Sequence, residues 1–395
     1  MAGATAAERA ACHLGSAAAA DFACLAQSQC FKIEGVSDEG AYAGTKQAMA
    51  VLCIDDATQL QVMQLVAALL HLGNLSFEPS GDGDGVSLQS EANAASVDAA
   101  SALLGVQTQR LVAALTTQVA RGSHGFTKLL RLREAQAARD SLMKSVYALL
   151  FSWVVDRCKD SIGTDAHVRR TIGILDIYGF ENFESINGFE QLCINFANEK
   201  LQSQFNRVVF ASALEDYARE GIPVGVVEFP DNVEVISLFE GRPAGILALL
   251  QEECSLGNGS DSNLLQKLKM SHASKGEGVA FKTTRRDANS FVIAHFAGEV
   301  RYSVDGFLAK NKDPLHEDLL LAMEESSLSL LKHLFSRSRA RANTSTATRQ
   351  GTRFLGVLRT FQQQLANLLK LIESAKCNFV RCIKPNSAES ASGFD

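Results

Sequence analysis

The sequence lacks the features that mark several classes of protein. Its nine cysteines are odd in number and contain no C-x-x-C pair, which favours a reduced, cytoplasmic chain over a disulfide-built one. No apolar run approaches the roughly 20 residues of a membrane-spanning helix. Arg9, His13 and Asp21 interrupt the Ala-rich start, which argues against a secretory signal. Lys and Arg total 38 against 44 Asp and Glu, and this net charge of −6 argues against nucleic acid as the main partner.

Common catalytic motifs are missing as well. The eight histidines have no metal-binding spacing, and His316-Glu317 is not followed by the second His of a zinc-binding helix. G-x-S-x-G, G-x-G-x-x-G and G-x-x-x-x-G-K-[ST] are all absent. Stand-alone metalloenzyme, hydrolase and dinucleotide-binding functions are therefore disfavoured.

Helical periodicity dominates what is present. Thr58-Gln-Leu-Gln61 is a capping box for an amphipathic helix over 58–72, and further helices are predicted over 134–159, 313–334 and 354–375. Asn187 with Glu190 opens a longer helix, which ends before Gly221 and Pro223. At 1.5 Å per residue that helix is on the order of 50 Å long, enough to join two distant sites.

Several short segments have other patterns. Phe291-Val-Ile293 and Val300-Arg-Tyr302 predict a β-hairpin, and residues 378–383 predict an extended segment. Residues 336–353 carry five arginines and no acid, which predicts a solvated, disordered basic loop of charge +5.

One short apolar run ends at an acid. Ile172-Gly-Ile-Leu175 has the composition of a buried strand in an α/β sheet, and Asp176 and Gly179 follow it. An acid at the end of such a strand can hold Mg²⁺ through water, while a nearby glycine lets a backbone N–H approach a phosphate oxygen. Spacing alone still favours a turn-capping role for Asp176.

The residues themselves point further, because Asp176-Ile-Tyr-Gly-Phe-Glu181 closely resembles the switch II loop of the myosin motor domain. Residues 189–202, FEQLCINFANEKLQ, resemble the start of the family's relay helix. The likeness continues in the family's order through nearly the whole chain, at Leu70-His-Leu-Gly-Asn74, Gln136-Ala-Ala-Arg-Asp140, Tyr147-Ala-Leu-Leu-Phe-Ser-Trp153, Phe229-Pro-Asp-Asn232, Gln251-Glu-Glu-Cys254, His295-Phe-Ala-Gly298, Gly306-Phe-Leu-Ala-Lys-Asn-Lys-Asp313 and Phe379-Val-Arg-Cys-Ile-Lys-Pro-Asn386.

The resemblance implies an α/β fold: a helix-rich, partial P-loop-NTPase-type myosin head with part of the central sheet. The domains that it implies are part of the upper actin-binding subdomain at 1–170, the switch II strand and loop with the relay helix at 171–232, the lower actin-binding subdomain at 233–335, the basic surface loop at 336–353, and an actin-contacting helix and strand at 354–395.

The resemblance also assigns roles at a nucleotide site. Asp176 is expected in the second shell of Mg²⁺, and the N–H of Gly179 is expected to sense the γ-phosphate of ATP. Glu181 is expected to pair with a switch I arginine and close the site around the attacking water. A hydrogen bond made only when the γ-phosphate is present can bias a two-state element, and the long helix from residue 187 would carry that bias away.

Actin filaments are the partner that the resemblance implies, through three regions. The first is a helix-loop-helix over 245–268, in which Ser255-Leu-Gly257 replaces the family's usual apolar-proline turn. The second is the basic loop, whose arginines would steer encounter with actin's acidic surface. The third runs from Leu365 to Asn386, where Lys376, Arg381 and Lys384 supply charge. The actin-contacting residues so implied are Gly245, Ile246, Leu250, Arg337, Arg339, Arg341, Arg349, Arg353, Leu365, Leu368, Leu369, Ile372, Lys376, Asn378, Phe379, Arg381, Lys384, Pro385 and Asn386.

Parts of the family's motor do not occur in this sequence. The phosphate-binding loop, switch I, the converter and the light-chain-binding neck have no counterpart in the 395 residues. We expect the chain to be a piece of a complete myosin, an actin-activated ATPase of the actin cytoskeleton that uses ATP and Mg²⁺. The alternative is a short actin-binding protein without ATPase activity.

Overall fold

The computed structural model describes residues 2–80, 85–88, 90–119, 127–163, 168–223, 231–273, 280–283, 287–312, 315–344, 356–380 and 386. The α-helices are α1 Ala6–Ala11, α2 Ala23–Ala26, α3 Asp38–Val51, α4 Asp56–Gly73, α5 Ser90–Leu104, α6 Thr108–Thr116, α7 Leu132–Ile162, α8 Phe189–Arg219, α9 Val233–Glu240, α10 Ile246–Ser255, α11 Asp261–His272, α12 Phe307–Lys312, α13 Glu317–Glu324, α14 Ser329–Thr344 and α15 Val357–Glu373. The strands are β1 Phe77–Pro79, β2 Val86–Leu88, β3 Thr117–Val119, β4 Thr127–Leu129, β5 Phe281–Thr283, β6 Ser290–His295 and β7 Gly298–Ser303.

The helix-rich character implied by the resemblance is confirmed, and the chain forms two compact units. The first unit comprises Met1–Gly173 and Pro314–Gln350, and the second comprises Ile174–Asp313 and Gly351–Asp395. Residues 314–335 thus belong with the first unit, although they were predicted to lie in a domain with 233–313. All strand pairs described are antiparallel, in the ladders β1-β2, β3-β4 and β5-β6-β7.

Helix α4 lies at the centre of the first unit. Its buried face carries Val62, Leu65 and Leu72 and packs against α5, α7 and α14. The Asp55 carboxylate caps the helix by accepting the N–H of Thr58 at 2.8 Å. The predicted cap at Thr58 is therefore three residues late, because Asp55 supplies the side chain that accepts a free N–H of the first turn.

The predicted helix over 134–159 is confirmed as the core of α7, which has 31 residues and buries Ala138, Leu142 and Trp153. The single helix predicted over 313–334 is wrong within the described residues, because α13 and α14 are separated at 325–328. Ser326 Oγ donates to the Leu104 carbonyl at 2.6 Å, and the N–H of Ser327 donates to Gly105 O at 2.9 Å. These tertiary hydrogen bonds replace the helical ones and end α13.

The second unit is built on the sheet β5-β6-β7 and helix α8. The predicted hairpin is confirmed: β6 and β7 pair with Phe291 opposite Tyr302 and Ile293 opposite Val300, and all four side chains are buried. The inward residues of both strands form the floor of the unit's apolar core, as expected for a sheet with one buried face.

The strand predicted over 172–175 is not observed, and no described strand pairs with this segment. Ile172 and Ile174 are 96% and 94% exposed. A strand in a parallel sheet takes its hydrogen bonds from neighbouring strands, and the part of the chain that the structure describes provides none beside 172–175. No part of a central sheet is thus observed among the described residues, and that expectation stays a prediction.

Helix α15, within the predicted span 354–375, is fixed to α12 by a buried amide. Asn311 Oδ1 accepts the N–H of Leu358 at 2.9 Å, and Asn311 Nδ2 donates to Cys254 Sγ at 3.3 Å. Gly356 is required at this approach, because a Cβ there would lie 2.7 Å from Asn311 Oδ1. After α15, residues 375–380 have no regular secondary structure, and residues 381–383 of the predicted extended segment lie outside the described residues.

Candidate nucleotide-responsive and actin-facing sites

The segment 176–183, which we call the sensing segment, has no regular secondary structure and runs past the start of α8. Asp176 and Gly179 are exposed, and a Cβ added at Gly179 would meet no atom within 4 Å. The N–H of Gly179 is thus approachable from open space. Asn198 Nδ2 of α8 donates to the Tyr178 carbonyl at 3.1 Å, which fixes the backbone just before this glycine.

Glu181 is the best-anchored residue of the sensing segment. Its N–H donates to Asn195 Oδ1 at 2.8 Å, and its carbonyl accepts Asn195 Nδ2 at 2.7 Å. Its carboxylate accepts Gln191 Nε2 at 3.1 Å. Gln191 Oε1 also accepts the N–H of Gly188 at 2.9 Å, so Gly188 and Gln191 form the cap of α8 that was predicted at Asn187 and Glu190.

Asn187 does not cap α8 as predicted; its side chain binds the end of the sensing segment. Its Oδ1 accepts the N–H of Phe183 at 2.8 Å, and its Nδ2 donates to the carbonyls of Phe183 at 3.0 Å and Arg301 at 3.1 Å. The end of the sensing segment is thereby tied to strand β7.

Phe180 inserts its ring into the core of the second unit. It meets His295 edge to face at 5.2 Å between ring centroids and Phe296 at 5.8 Å. Because Phe180 lies between Gly179 and Glu181, this packing holds the sensing segment by an apolar contact as well as by hydrogen bonds.

A group of buried polar side chains lies under the sensing segment, and sequence reasoning assigned it no role. We call it the polar core; its members are Asn195, Glu199, Asn232, His295 and Tyr302. Glu199 Oε1 accepts the N–H of Phe296 at 3.1 Å and lies 2.8 Å from His295 Nδ1. His295 Nε2 lies 2.8 Å from the Tyr302 hydroxyl, which also accepts Asn195 Nδ2 at 2.7 Å. Burial raises the pKa of Tyr302, so this phenol stays protonated.

One feature of the sequence could have indicated the polar core: Asn195 and Glu199 lie at positions i and i+4 on the apolar face of a predicted helix. Polar groups on a buried face require hydrogen-bond partners. The sequence could not name them, because His295 and Tyr302 lie about a hundred residues further along the chain.

No cluster of His, Cys, Asp and Glu able to hold a metal is present among the described residues. Asp176 offers one exposed carboxylate, the hard oxygen donor that Mg²⁺ prefers. The segment therefore fits a single outer contact to Mg²⁺ and does not supply a coordination shell. The described residues also contain no helix long and apolar enough to cross a membrane.

The helix-loop-helix predicted over 245–268 is present as α10 and α11. Its expected actin-contacting residues Ile246 and Leu250 are buried, and a Cβ at Gly245 would lie 2.5 Å from Gly241 O. The structure thus places these three residues where they support the surface from beneath.

A buried carboxylate holds the two helices together. Glu253 accepts the N–H of Ser260 at 3.1 Å and pairs with Lys267 at 2.8 Å. Burial by itself raises the pKa of Glu253, but these two partners outweigh it and leave the pKa below its usual value.

The basic region is partly helical. The prediction of a disordered loop starting at residue 336 is wrong up to Thr344, where α14 ends. Arg337 pairs with Asp156 at 2.9 Å, and Arg339 pairs with Glu324 at 2.6 Å. These carboxylates explain the continued helix, because they neutralise arginines whose mutual repulsion opposes it. Arg341 lies in α14, and Arg349 and Arg353 lie outside the described residues.

Helix α15 and the segment after it place the remaining predicted actin-contacting residues. Leu365 is buried in the second unit, whereas Leu368, Leu369 and Ile372 are half-buried. Lys376, Asn378 and Phe379 are exposed, and Asn386 is half-buried; Arg381, Lys384 and Pro385 lie outside the described residues. The Phe379 ring meets Phe205 of α8 edge to face at 5.0 Å, and Glu373 pairs with Arg207 of α8 at 2.6 Å.

These features belong to a known class. The myosin head (motor domain) family model matches residues 1–395, and the chain belongs to that family. It is 38% identical over 375 residues to Myosin-17 of Arabidopsis thaliana, a match that covers 94% of this chain and 24% of that protein. It is 36% identical over 377 residues to Myosin-I heavy chain of Dictyostelium discoideum, covering 95% and 16%. It is 35% identical over 397 residues to Unconventional myosin-Vb of Mus musculus, covering 95% and 22%. The chain thus spans about a quarter or less of the length of these relatives.

Proposed function

We propose that this chain is the nucleotide-responsive and actin-facing part of an ATP-driven motor of the actin cytoskeleton. One observation carries the proposal: a single helix, α8, contacts both regions. Asn195 holds the backbone of the sensing segment, and Phe205 and Arg207 contact Phe379 and Glu373. An α-helix is stiff over this distance, so the two regions are mechanically connected within the second unit.

In the complete motor, Mg²⁺ and ATP supply the phosphoryl-transfer chemistry. Asp176 would hold Mg²⁺ from the outer shell, and the N–H of Gly179 would donate to the γ-phosphate. Glycine suits the second role because no side chain blocks the approach. Glu181 closes the site by pairing with an arginine. The Gly179 contact exists only when the γ-phosphate is present, and such a differential contact shifts the position of the segment and of α8.

Actin binding falls to the exposed residues after α15 and to the arginines of the basic region. Lys376 and the arginines of the basic region attract an acidic filament surface, and this attraction weakens as salt screens it. Phe379 contributes an exposed aromatic edge.

A second function remains open: an actin-binding module without ATPase activity. It is favoured by the absence of a G-x-x-x-x-G-K-[ST] sequence from the 395 residues, since phosphates are normally cradled by such a loop. The endogenous transcript separates the two functions. A message that extends upstream into a Gly-rich loop with Lys-Thr supports the motor, and one that starts at Met1 supports the module.

The direct test of the motor is Gly179→Ala in the head encoded by the parent transcript. The new methyl group meets no protein atom, so the fold is retained, but it obstructs the phosphate approach. We expect loss of actin-activated ATPase by at least tenfold, the order of effect of removing one transition-state hydrogen bond. Gly173→Ala is the matched control, because that position is equally open and lies before the segment. Equal activity of the two variants contradicts the assignment of Gly179.

A further inference from the structure

The polar core has a single consistent direction of hydrogen bonding, and the starting point is the backbone of Glu181. A backbone N–H only donates and a carbonyl only accepts. The side-chain amide of Asn195 faces both groups, with Oδ1 against the N–H and Nδ2 against the carbonyl. The orientation of the Asn195 amide is therefore fixed, and its second Nδ2 hydrogen points at the Tyr302 hydroxyl.

The direction continues from Tyr302 to Glu199. Because the Tyr302 oxygen accepts from Asn195, its own hydrogen is available for His295 Nε2, 2.8 Å away. His295 Nε2 is then the acceptor, and Nδ1 carries the ring hydrogen, which it donates to Glu199 Oε1 at 2.8 Å. The neutral Nδ1–H tautomer of His295 satisfies every one of these groups. In an imidazolium, Nε2 would also carry a hydrogen and could not accept from Tyr302. Asn195 Nδ2 is a donor as well, so the Tyr302 hydrogen would find no acceptor in either of its two described partners.

We propose that Tyr302 and His295 are positioning residues for the sensing segment. They act by locking the Asn195 amide in the orientation that clamps both backbone groups of Glu181. This assignment rests on the proposed function in taking residues 176–183 as the segment that responds to phosphate. It assigns the β6-β7 hairpin a role beyond packing, since its two polar side chains hold a loop that belongs to neither strand.

The physical reason is that Asn195 has no other described partner to hold its second amide hydrogen. Without the Tyr302 oxygen, a buried N–H of Asn195 is left unpaired, which destabilises the native orientation of the amide. Other orientations of the amide are then more populated, and rotation into them breaks both hydrogen bonds to Glu181. Phe180, which packs on His295, loses part of its support if the ring of His295 turns.

The first test is the tautomer of His295 in the full chain labelled with ¹⁵N-histidine, with the signal assigned by its loss in His295→Gln. The expected result is a neutral ring with Nδ1 protonated and Nε2 unprotonated. A doubly protonated ring, or the Nε2–H tautomer, overturns the proposal because the direction from Glu181 to Glu199 would then be interrupted.

The second test is hydrogen exchange in Tyr302→Phe, which keeps the ring in the core and removes only the hydroxyl. We expect the Glu181 amide to exchange about fivefold faster, the effect of losing one hydrogen bond. The Phe183 amide is an internal reference, because it is held by Asn187 and not by the polar core. Tyr147→Phe, at an exposed tyrosine of α7, is the matched control and should change neither amide.

Two results overturn the positioning role. One is unchanged exchange of Glu181 in Tyr302→Phe. The other is a change that is equal at Glu181, at Phe183 and across the β6-β7 ladder, because Tyr302 would then act only on the stability of the unit. Both tests use the chain without nucleotide or actin, so their outcome does not depend on the Gly179→Ala result, and failure of either proposal is separately visible.

Discussion

The rings of Phe205 and Phe379 meet edge to face with their centroids 5.0 Å apart. Phe205 lies in the middle of α8, and Phe379 lies in the irregular segment that follows α15. Together with the Arg207–Glu373 pair, this contact fixes a segment that has no hydrogen-bonded secondary structure of its own. The segment 375–380 is therefore ordered by the helix and not by its local sequence.

Phe205→Ala should loosen this segment. Loss of an aromatic pair costs about 1 kcal/mol beyond the buried area, so amides at 375–380 should exchange roughly fivefold faster. Hydrogen exchange followed by mass spectrometry measures this. Val209→Ala is the control, because Val209 lies on the same helix and is more exposed. Equal protection in both variants would show that the ring pair does not order the segment.

The arginines of the basic region should divide into two groups. Arg337 and Arg339 are already paired with carboxylates, so neutralising them should weaken actin co-sedimentation at low salt less, per charge, than neutralising Arg349 and Arg353, which the sequence predicts in a solvated loop. The difference should vanish at high salt, where exposed charges are screened.

Equal effects per charge, or a difference that persists at high salt, would contradict this division. Arg337→Gln and Asp156→Asn should instead share a stability effect of about 0.5 kcal/mol, the usual value for a partly exposed pair. Fluorescence of Trp153 reports it, because the single tryptophan is buried in the first unit on the same helix as Asp156.

Ile172 and Ile174 should each contribute to the binding of hydrophobic dyes. Their side chains are almost fully exposed. The double change Ile172→Ser and Ile174→Ser should lower dye fluorescence and raise solubility without shifting the melting temperature. Val51→Ser, at an exposed valine of the first unit, is the control. Undiminished dye binding in the double variant would place the apolar surface elsewhere.

Glu8 should make the first unit sensitive to acid. Its hydrogen bonds to Lys46 and to the N–H of Thr5 lower its pKa to about 2 from the ordinary 4.5. A depressed pKa in the folded state means that the stabilisation is complete above pH 4.5 and is lost as the pH falls toward 2. Because the pair is partly exposed, the contribution is at most about 1 kcal/mol.

Glu8→Gln should therefore lessen the decrease of the unfolding free energy between pH 4.5 and 2, measured again by Trp153 fluorescence. Glu39→Gln, at an exposed position, serves as the matched control. If the unfolding free energy of Glu8→Gln falls between pH 4.5 and 2 as steeply as that of the unaltered chain, the Lys46 contact is not maintained in solution.

Local patterns were sufficient where an element depends on its own residues. The long helix from residue 187 and the β6-β7 hairpin were predicted because apolar residues recur in those segments with the periods of a helix, 3.6 residues, and of a strand, 2 residues. Only the cap of α8 differed, since Gln191 takes the place expected for Glu190. The family itself could also be recognised from sequence, because its motifs are contiguous runs.

Elements that depend on distant residues were not predicted. The run at 172–175 has the composition of a strand, but composition cannot supply the neighbours that a strand pairs with. The arginines after residue 336 indicated a loop, and only the positions of Asp156 and Glu324 explain the helix. The role of Asn195 depends in the same way on Tyr302, which is 107 residues away in sequence.

Helix α8 is a stiff connection between two contacts in the second unit. Asn195 and Phe205 are ten residues apart on it, about 15 Å along the axis, and every peptide between them is held at a fixed rise. An axial displacement of 1 Å imposed at Glu181 therefore reaches Phe379 almost undiminished, since the helix can neither stretch nor store it. The distance between the two contacts of α8 is thus set by the number of residues between two side chains.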